Sequence, residues 1–218
     1  MEEISIITAT LNRSSLRNAC KSINDQTYSN WHHYVIGDGV LPTDYSHPSR
    51  TTIGFSRPIG AYEPSLDKPG GTPNPILRWA VKYLNLGKYL CFLDDDNTYR
   101  SDFLEMMVTT LHNSKAGIAI CALVDYRDDD LHDGYPELGR CDNSGFLVYS
   151  SIAKEIGFPM VMKDQDNIED YRFIRACAEN YGWIRVSDKL VNFGINPCTL
   201  PETKRIEVYE SSISEGKL

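Results

Sequence analysis

Three carboxylates in a row, Asp94-Asp95-Asp96, followed by Asn97, stand directly after the apolar run Lys88 to Leu93. Adjacent acids repel one another unless a cation joins them, and hard oxygen donors of this kind suit Mg²⁺ or Mn²⁺. Such an ion would also offset the charge of a diphosphate. Two other readings compete. Asp94, Asp96, Thr98, Asp102 and Glu105 fall at the ligand spacings of a calcium loop, but Tyr99 stands where that loop needs Gly and the preceding run reads as strand. A plain solvated turn is the other. A further acid, Asp170, lies in Asn167-Ile168-Glu169-Asp170-Tyr171-Arg172-Phe173. Acids early in a helix suit the macrodipole, so this pair alone reads as structural. Beside a metal-bound leaving group, however, Asp170 would be able to take a proton from an attacking hydroxyl as a general base.

The elements that must position these acids alternate short apolar runs with stretches of helical period, the pattern of an α/β fold with a mostly parallel central sheet flanked by helices. Ile4 to Thr8 is β-branched without alternation, as expected of a strand covered on both faces. Ser14 is the expected N-cap of a helix whose stripe is Leu16, Ala19, Cys20 and Ile23, and His33 to Gly37 reads as the next strand of a βαβ unit. Seven of the eleven prolines lie between positions 40 and 75, so that segment reads as loop around one short strand near Thr51 to Phe55.

Further helices are expected around Leu77, Ala80, Val81 and Leu84, around Leu104, Met107, Val108 and Leu111, at Ile152 to Ile156, and at Ile168 to Tyr181. Strands are expected at Lys88 to Leu93, Gly117 to Val124 and Gly145 to Tyr149, with one or two more between Trp183 and Phe193. Asp125 to Asp142 reads as an acidic loop. In an open α/β sheet ligands bind beyond the carboxyl ends of the strands, which is where Asp94 to Asp96 would lie.

The chain has 218 residues, a size that suits one domain, with a formal charge of −8. That balance argues against a general nucleic-acid surface, which needs cationic side chains. No stretch reaches the roughly 18 apolar residues of a membrane span, and Met1-Glu2-Glu3 lacks the basic start of a signal peptide. The six cysteines show no C-x-x-C pair and no zinc spacing, so they read as free thiols and the expected location is cytoplasmic.

Taken together these residues resemble the family 2 glycosyltransferases, which have a nucleotide-binding GT-A fold. The carriers are Ser5 to Arg13, Gln26-Thr27-Tyr28 before Trp31, Val35 to Asp38-Gly39, Arg78, Leu93 to Asn97 with Ser101-Asp102-Phe103-Leu104, and Ile156-Gly157-Phe158 followed by Glu169-Asp170. The resemblance spans roughly residues 3 to 176. It implies one GT-A domain over 1–200, with a nucleotide-binding half at 1–100, an acceptor and catalytic-base half at 101–200, and a tail or linker stub at 201–218. It implies that Thr8, Ala9, Thr10, Leu11, Asn12 and Arg13 line the nucleotide, that Asp38 accepts a hydrogen bond from the uracil ring, and that Asp94, Asp95 and Arg78 also face the donor.

In the same way, Asp94 and Asp96 would hold Mn²⁺ or Mg²⁺, and Asp170 would deprotonate the acceptor for inverting transfer. The implied partners are a UDP-sugar of the UDP-glucose, UDP-galactose or UDP-rhamnose type, and a glycan or small-molecule hydroxyl acceptor. Three departures stand out: Leu11 replaces a frequent Tyr, Gly37 a frequent Asp, and no His follows Asp170. For the sugars, Asp142 to Gly145, Tyr62 to Gly71, Trp79 and Tyr171 are nominated. Two alternatives stay open. One is a non-catalytic nucleotide-sugar or glycan-binding module; the other is a sugar-nucleotide pyrophosphorylase, which lacks its expected Gly-rich basic loop here.

Overall fold

The computed structural model describes residues 2–43, 45–59, 73–124, 130–159 and 168–194. In chain order the elements are β1 (Ile4–Thr10), α1 (Leu16–Asn24), β2 (Trp31–Gly37), β3 (Arg50–Gly54), α2 (Asn74–Tyr83), β4 (Tyr89–Phe92) and β5 (Thr98–Tyr99). There follow α3 (Phe103–His112), β6 (Ile118–Val124), β7 (Asp130–His132), β8 (Phe146–Tyr149), α4 (Ser150–Ile156), α5 (Glu169–Tyr181) and β9 (Trp183–Asn192). The fold is the expected α/β architecture. One sheet runs in the order β3-β2-β1-β4-β8-β6-β9-β5, with β7 added alongside β6. Its β3-β2-β1-β4 half and the β6-β9 pair are parallel; β8, β5 and β7 pair antiparallel.

Alternation along the buried strands divides the core into two layers. Ile4, Ile6, Tyr89, Cys91, Leu93, Ala119 and Cys121 point to the side covered by α1 and α3, joined by Ala19, Ile23, Leu104 and Met107. On the opposite side Ile7, Leu90, Phe92, Ile118, Ile120 and Phe146 meet α2, α4 and α5 through Leu77, Val81, Ala153, Phe173 and Cys177. A knot of four rings ties α5 to the sheet there: Phe173 lies 6.0 Å from Phe92, 5.7 Å from Phe146 and 5.1 Å from Phe158, centroid to centroid.

Several local expectations change. The residue before α1 is Ser15 rather than Ser14, and it makes no side-chain cap bond, because the turn is already wound: Leu16 N donates to Arg13 O and Arg17 N to Ser14 O. Within the acidic loop, β7 forms on the edge of β6. The end of the chain pattern, Trp183 onward, is one strand whose register slips twice against β6, between Cys121 and Leu123. Two-residue β5 had no signal in the sequence; it exists because its backbone meets β9 at Thr98 with Asn192 and Tyr99 with Val191. The nominated segment Tyr62 to Gly71 and Cys198 lie outside the described residues, and the other five cysteines are free and buried.

The ring knot yields a prediction. Phe173→Ala leaves a void between three phenylalanines and is expected to lower unfolding free energy by about 3–5 kcal/mol, read from the denaturant midpoint at unchanged slope.

Candidate active site

The parallel register brings three strand ends to one edge. Thr10 at the end of β1 pairs with Gly37, Asp38 N donates to Thr10 O at 2.9 Å, and Leu93 N donates to Ile7 O at 3.0 Å. The loops after β1, β2 and β4 therefore open into a single cleft of about 390 Å³, large enough for a small-molecule ligand. Ala9, Thr10, Leu11, Arg13, Asp38, Asp94, Asp95 and Asp96 line it from the N-terminal half, and Asp142, Asn143, Glu169, Asp170 and Phe193 from the C-terminal half. Asn74 and Ile76 of α2 complete the wall.

Each acid is held by specific partners. Thr10 Oγ1 donates to Asp95 Oδ2 at 2.6 Å and in turn accepts from Asn12 N at 2.9 Å. Asn12 carries the turn in a left-handed conformation, φ 61°, which an Asn tolerates better than most side chains. The turn aims the next residue inward. Arg13 Nη1 stands 3.3 Å from Asp95 Oδ1 and 3.4 Å from Asp96 Oδ2. On the other side Ser144 Oγ accepts from Asp94 N at 3.2 Å and from Asn97 Nδ2 at 2.8 Å, and donates to Asp94 Oδ2 at 3.4 Å. Ser144 N donates to Asp142 Oδ1 at 2.9 Å, so the 3-10 turn at Asn143–Gly145 ties Asp142 to the β4 acids.

The end of β9 seals this arrangement. Gly194 N donates to Asn97 Oδ1 at 2.9 Å, and a Cβ on Gly194 would come within 1.2 Å of the Asp96 carbonyl oxygen. Only glycine fits there.

Crowded carboxylates in a buried cleft resist ionisation. Burial, then the charges of Asp142, Asp96 and Asp95, push Asp94 well above the usual carboxylate range. Asp142 is raised by burial against the pull of the Ser144 backbone. Asp96 is raised by burial and Asp95, with Arg13 opposing. Asp170, at the first turn of α5, accepts from Tyr171 N at 2.7 Å, yet burial and Asp142 push it up to about 6. The separation of Asp170 from Asp94 in sequence is thus closed in space: both line one cleft, and the charge of Asp170 adds to the upward push on Asp94.

Other nominated residues take different places. Thr8 sits beneath the cleft, its Oγ1 3.0 Å from His33 Nε2, and neither it nor Asn12 is among the lining residues. Asp38 lines the cleft while its Oδ1 accepts from Ile59 N at 2.6 Å. Arg78 is turned away: from the exposed face of α2 its Nη1 donates to Phe158 O at 2.9 Å, bracing the loop after α4. Trp79 packs edge-on against Phe55 at 5.1 Å, in the core layer rather than the cleft. Leu11, exposed at 44 %, offers an aliphatic face at the rim where a ring was expected.

Sequence reasoning missed two features. Glu169 is 1 % exposed, with Oε2 accepting from Asn74 Nδ2 at 3.0 Å and Oε1 without a partner among the described residues. Asn143 Oδ1 is likewise buried and unpartnered in the cleft wall. The neighbouring Asp170 drew attention away from Glu169, and nothing in the spacing of Asn74 predicted its contact.

A divalent cation fits this donor set on one condition. Among the described residues no three His, Cys, Asp or Glu side chains already converge as a cage. Asp94 and Asp96 are hard oxygen donors held near one another at a cost in repulsion, and Mg²⁺-like ions are commonly bound by one or two carboxylates completed by ligand phosphates and water.

Comparison with known proteins agrees with this geometry. The glycosyl transferase family 2 model matches residues 80–176, from α2 through the β4 acids to α5. Over that segment the chain is similar to the family 2 glycosyltransferases. Its fold is similar to the crystal structure of Staphylococcus aureus TarS residues 1–349 in complex with UDP, at a TM-score of 0.66 and 13 % identity over 90 % of this chain and 61 % of that one. The same fragment with UDP-GlcNAc gives 0.63 at 14 % identity, over 88 % and 58 %. The mannosyltransferase PcManGT from Pyrobaculum calidifontis, in complex with GDP-Man and Mn²⁺, gives 0.64 at 15 %, over 89 % and 57 %. At these identities the likeness establishes the GT-A fold, and the chain spans about three fifths of the length of those structures. No curated protein matches it in sequence. Among the described residues, no helix is long and apolar enough to cross a membrane.

The pH dependence of stability follows from the raised acids. Asp170 binds a proton more tightly folded than unfolded, so its contribution is fully present below its ordinary pKa and is lost as pH rises through about 6. Buried His33, pushed well below 6.5, works in the opposite sense and destabilises the fold as pH falls. The reading is therefore a difference: between pH 5 and 7.5, without divalent cations, Asp170→Asn should gain melting temperature relative to wild type as pH rises, measured by scanning calorimetry.

Proposed function

We propose that this domain is an inverting glycosyltransferase that moves a sugar from a UDP-sugar to a hydroxyl acceptor, with Asp170 as the general base. The observation that supports the reading is one cleft lined both by the acid turn after β4 and by a separate, half-buried carboxylate raised to about 6. A base near neutrality combines an ionised population at pH 7 with useful proton affinity.

The roles follow from the positions. Leu11 and Asp38 flank the space for a base and ribose, and Arg13 is the cation available to a diphosphate. Asp94 and Asp96 would hold Mn²⁺ or Mg²⁺, which supplies neutralisation of the diphosphate's charge. Arg13 would exchange its carboxylate partners for phosphate oxygens. From the far wall, Asp170 would accept the proton of the acceptor hydroxyl as its oxygen attacks the anomeric carbon and the nucleoside diphosphate leaves. Glu169 Oε1 and Asn143 Oδ1 are buried acceptors that sugar hydroxyls would satisfy.

UDP is favoured by the UDP complexes of TarS and by an acidic Asp38 suited to a ring N–H donor; GDP-Man on PcManGT makes GDP the competitor to test. The donor sugar proposed is of the glucose, galactose or rhamnose type, and the acceptor a glycan or small hydroxyl compound. Five free buried thiols support a reducing, cytoplasmic setting.

Calorimetric titration with UDP and with GDP, each with and without Mn²⁺, tests the donor site. Expected is Mn²⁺-dependent UDP binding that Asp96→Ala abolishes. Asp170→Asn should retain that binding while turnover of the accepted UDP-sugar falls by about 100-fold or more. Absence of UDP binding under every condition sinks the uridine assignment, and full turnover by Asp170→Asn sinks the base.

A further inference from the structure

A second groove, of about 380 Å³, is lined by residues before the Asp142 turn and by α5. Pro136, Glu137 and Leu138 form one bank; Tyr171, Arg175, Ala178 and Glu179 of α5, with Trp183 at the start of β9, form the other. Its first α5 residue, Tyr171, follows Asp170 of the cleft directly in the chain, although the two pockets share no lining residue. From Asp170 to Glu179 the helix rises about 13 Å, longer than a single sugar ring requires.

We infer that this groove is a glycan subsite, taking the sugars of a neutral oligosaccharide acceptor that lie beyond the one presented to Asp170. This rests on the glycosyl-transfer reading of the cleft and adds the acceptor class: a chain rather than a monosaccharide or a small alcohol.

Its chemistry matches such a ligand. Trp183 and Leu138, exposed at 38 % and 62 %, are two large apolar side chains left open on the same groove. Trp183 is steadied edge-on by Tyr135, with ring centroids 5.6 Å apart, and Tyr135 is itself covered by the guanidinium groups of Arg140 at 4.0 Å and Arg185 at 4.8 Å. A braced aromatic face suits the C–H face of a pyranose and costs little ordering on binding.

The polar flank is set in advance as well. Arg175 Nη1 donates to Tyr171 Oη at 2.5 Å and its Nε to Glu179 Oε1 at 2.6 Å, while Arg140 Nη1 donates to Glu137 Oε2 at 2.6 Å. The charges are paired with one another, which leaves donors and acceptors for hydroxyls and no net field for an anionic or cationic chain. A nucleic acid or a polyanion gains nothing here. The groove's narrow apolar strip and paired rim also give a protein partner little to bury.

The test uses the full chain with cellohexaose, chitohexaose, maltohexaose and xylohexaose, each beside its disaccharide, followed by tryptophan fluorescence and calorimetry. At least one hexaose is expected to shift the emission and to bind about 10-fold or more tightly than its disaccharide. Trp183→Ala should abolish the response, Trp183→Phe should retain part of it, and both should bind UDP with Mn²⁺ like wild type. No response to any hexaose, or binding that survives Trp183→Ala, overturns the subsite. Self-association that Leu138→Asp disperses, seen by sedimentation, also overturns it in favour of a second copy of the chain. UDP binding without hexaose binding removes this inference alone, whereas loss of UDP binding removes the reading beneath it.

Discussion

The repulsion among carboxylates gathered at one sheet edge governs the rest of the molecule. Asp94, Asp95, Asp96, Asp142 and Asp170 all face a cleft that partly excludes water, and each raises the cost of ionising another. A fold acquires such a cluster only if neighbouring elements hold it in place, since free chains would separate the charges. Here the holding is done by neutral donors on three sides: Thr10 from β1, Ser144 from the turn before β8, and Asn97 within the acid loop. Arg13 supplies the one cation at close range to Asp95 and Asp96 among the described ion pairs. Under the proposed function, what is unfavourable among the acids alone would favour a ligand that brings positive charge to them.

That arrangement explains the unequal treatment of the acids. Asp95 is tied by Thr10 and Arg13 and so belongs to the scaffold as much as to the site. Asp94 and Asp96 keep oxygen capacity toward the cleft. Asp170 comes from another element altogether, and its first-turn position gives it a favourable dipole that burial outweighs. The cleft thus draws its acids from two separate elements, the β4 turn and the start of α5, the division that the proposed transfer would use.

Much of the scaffold was legible in the sequence because it rests on periodicity. Buried strands such as Ile118–Val124 and Ile4–Thr10 are continuous apolar runs, and the stripes of α1 and α3 repeat at helical spacing. The acids at the end of β4 followed from the same pattern. What was hidden depends on contacts between distant segments. Thr98 and Tyr99 form a strand only because β9 arrives beside them, and Arg78, which is not among the cleft-lining residues, donates to Phe158 O, 80 positions later. Glu169 looked like a helix-start acid; its burial is set by Asn74, 95 positions earlier in the chain. No local signal encodes such a meeting.

The fit of Gly194 against the Asp96 carbonyl has a consequence for how the protein is made. The acid turn is synthesised before residue 100, but its final brace arrives only when residues 192–194 have left the ribosome and β9 has slotted between β6 and β5. A nascent chain therefore carries the acid turn without this last brace for the 97 residues that separate Asn97 from Gly194. Closing that brace needs a contact of long sequence separation, the kind that loop-closure entropy makes slow to form.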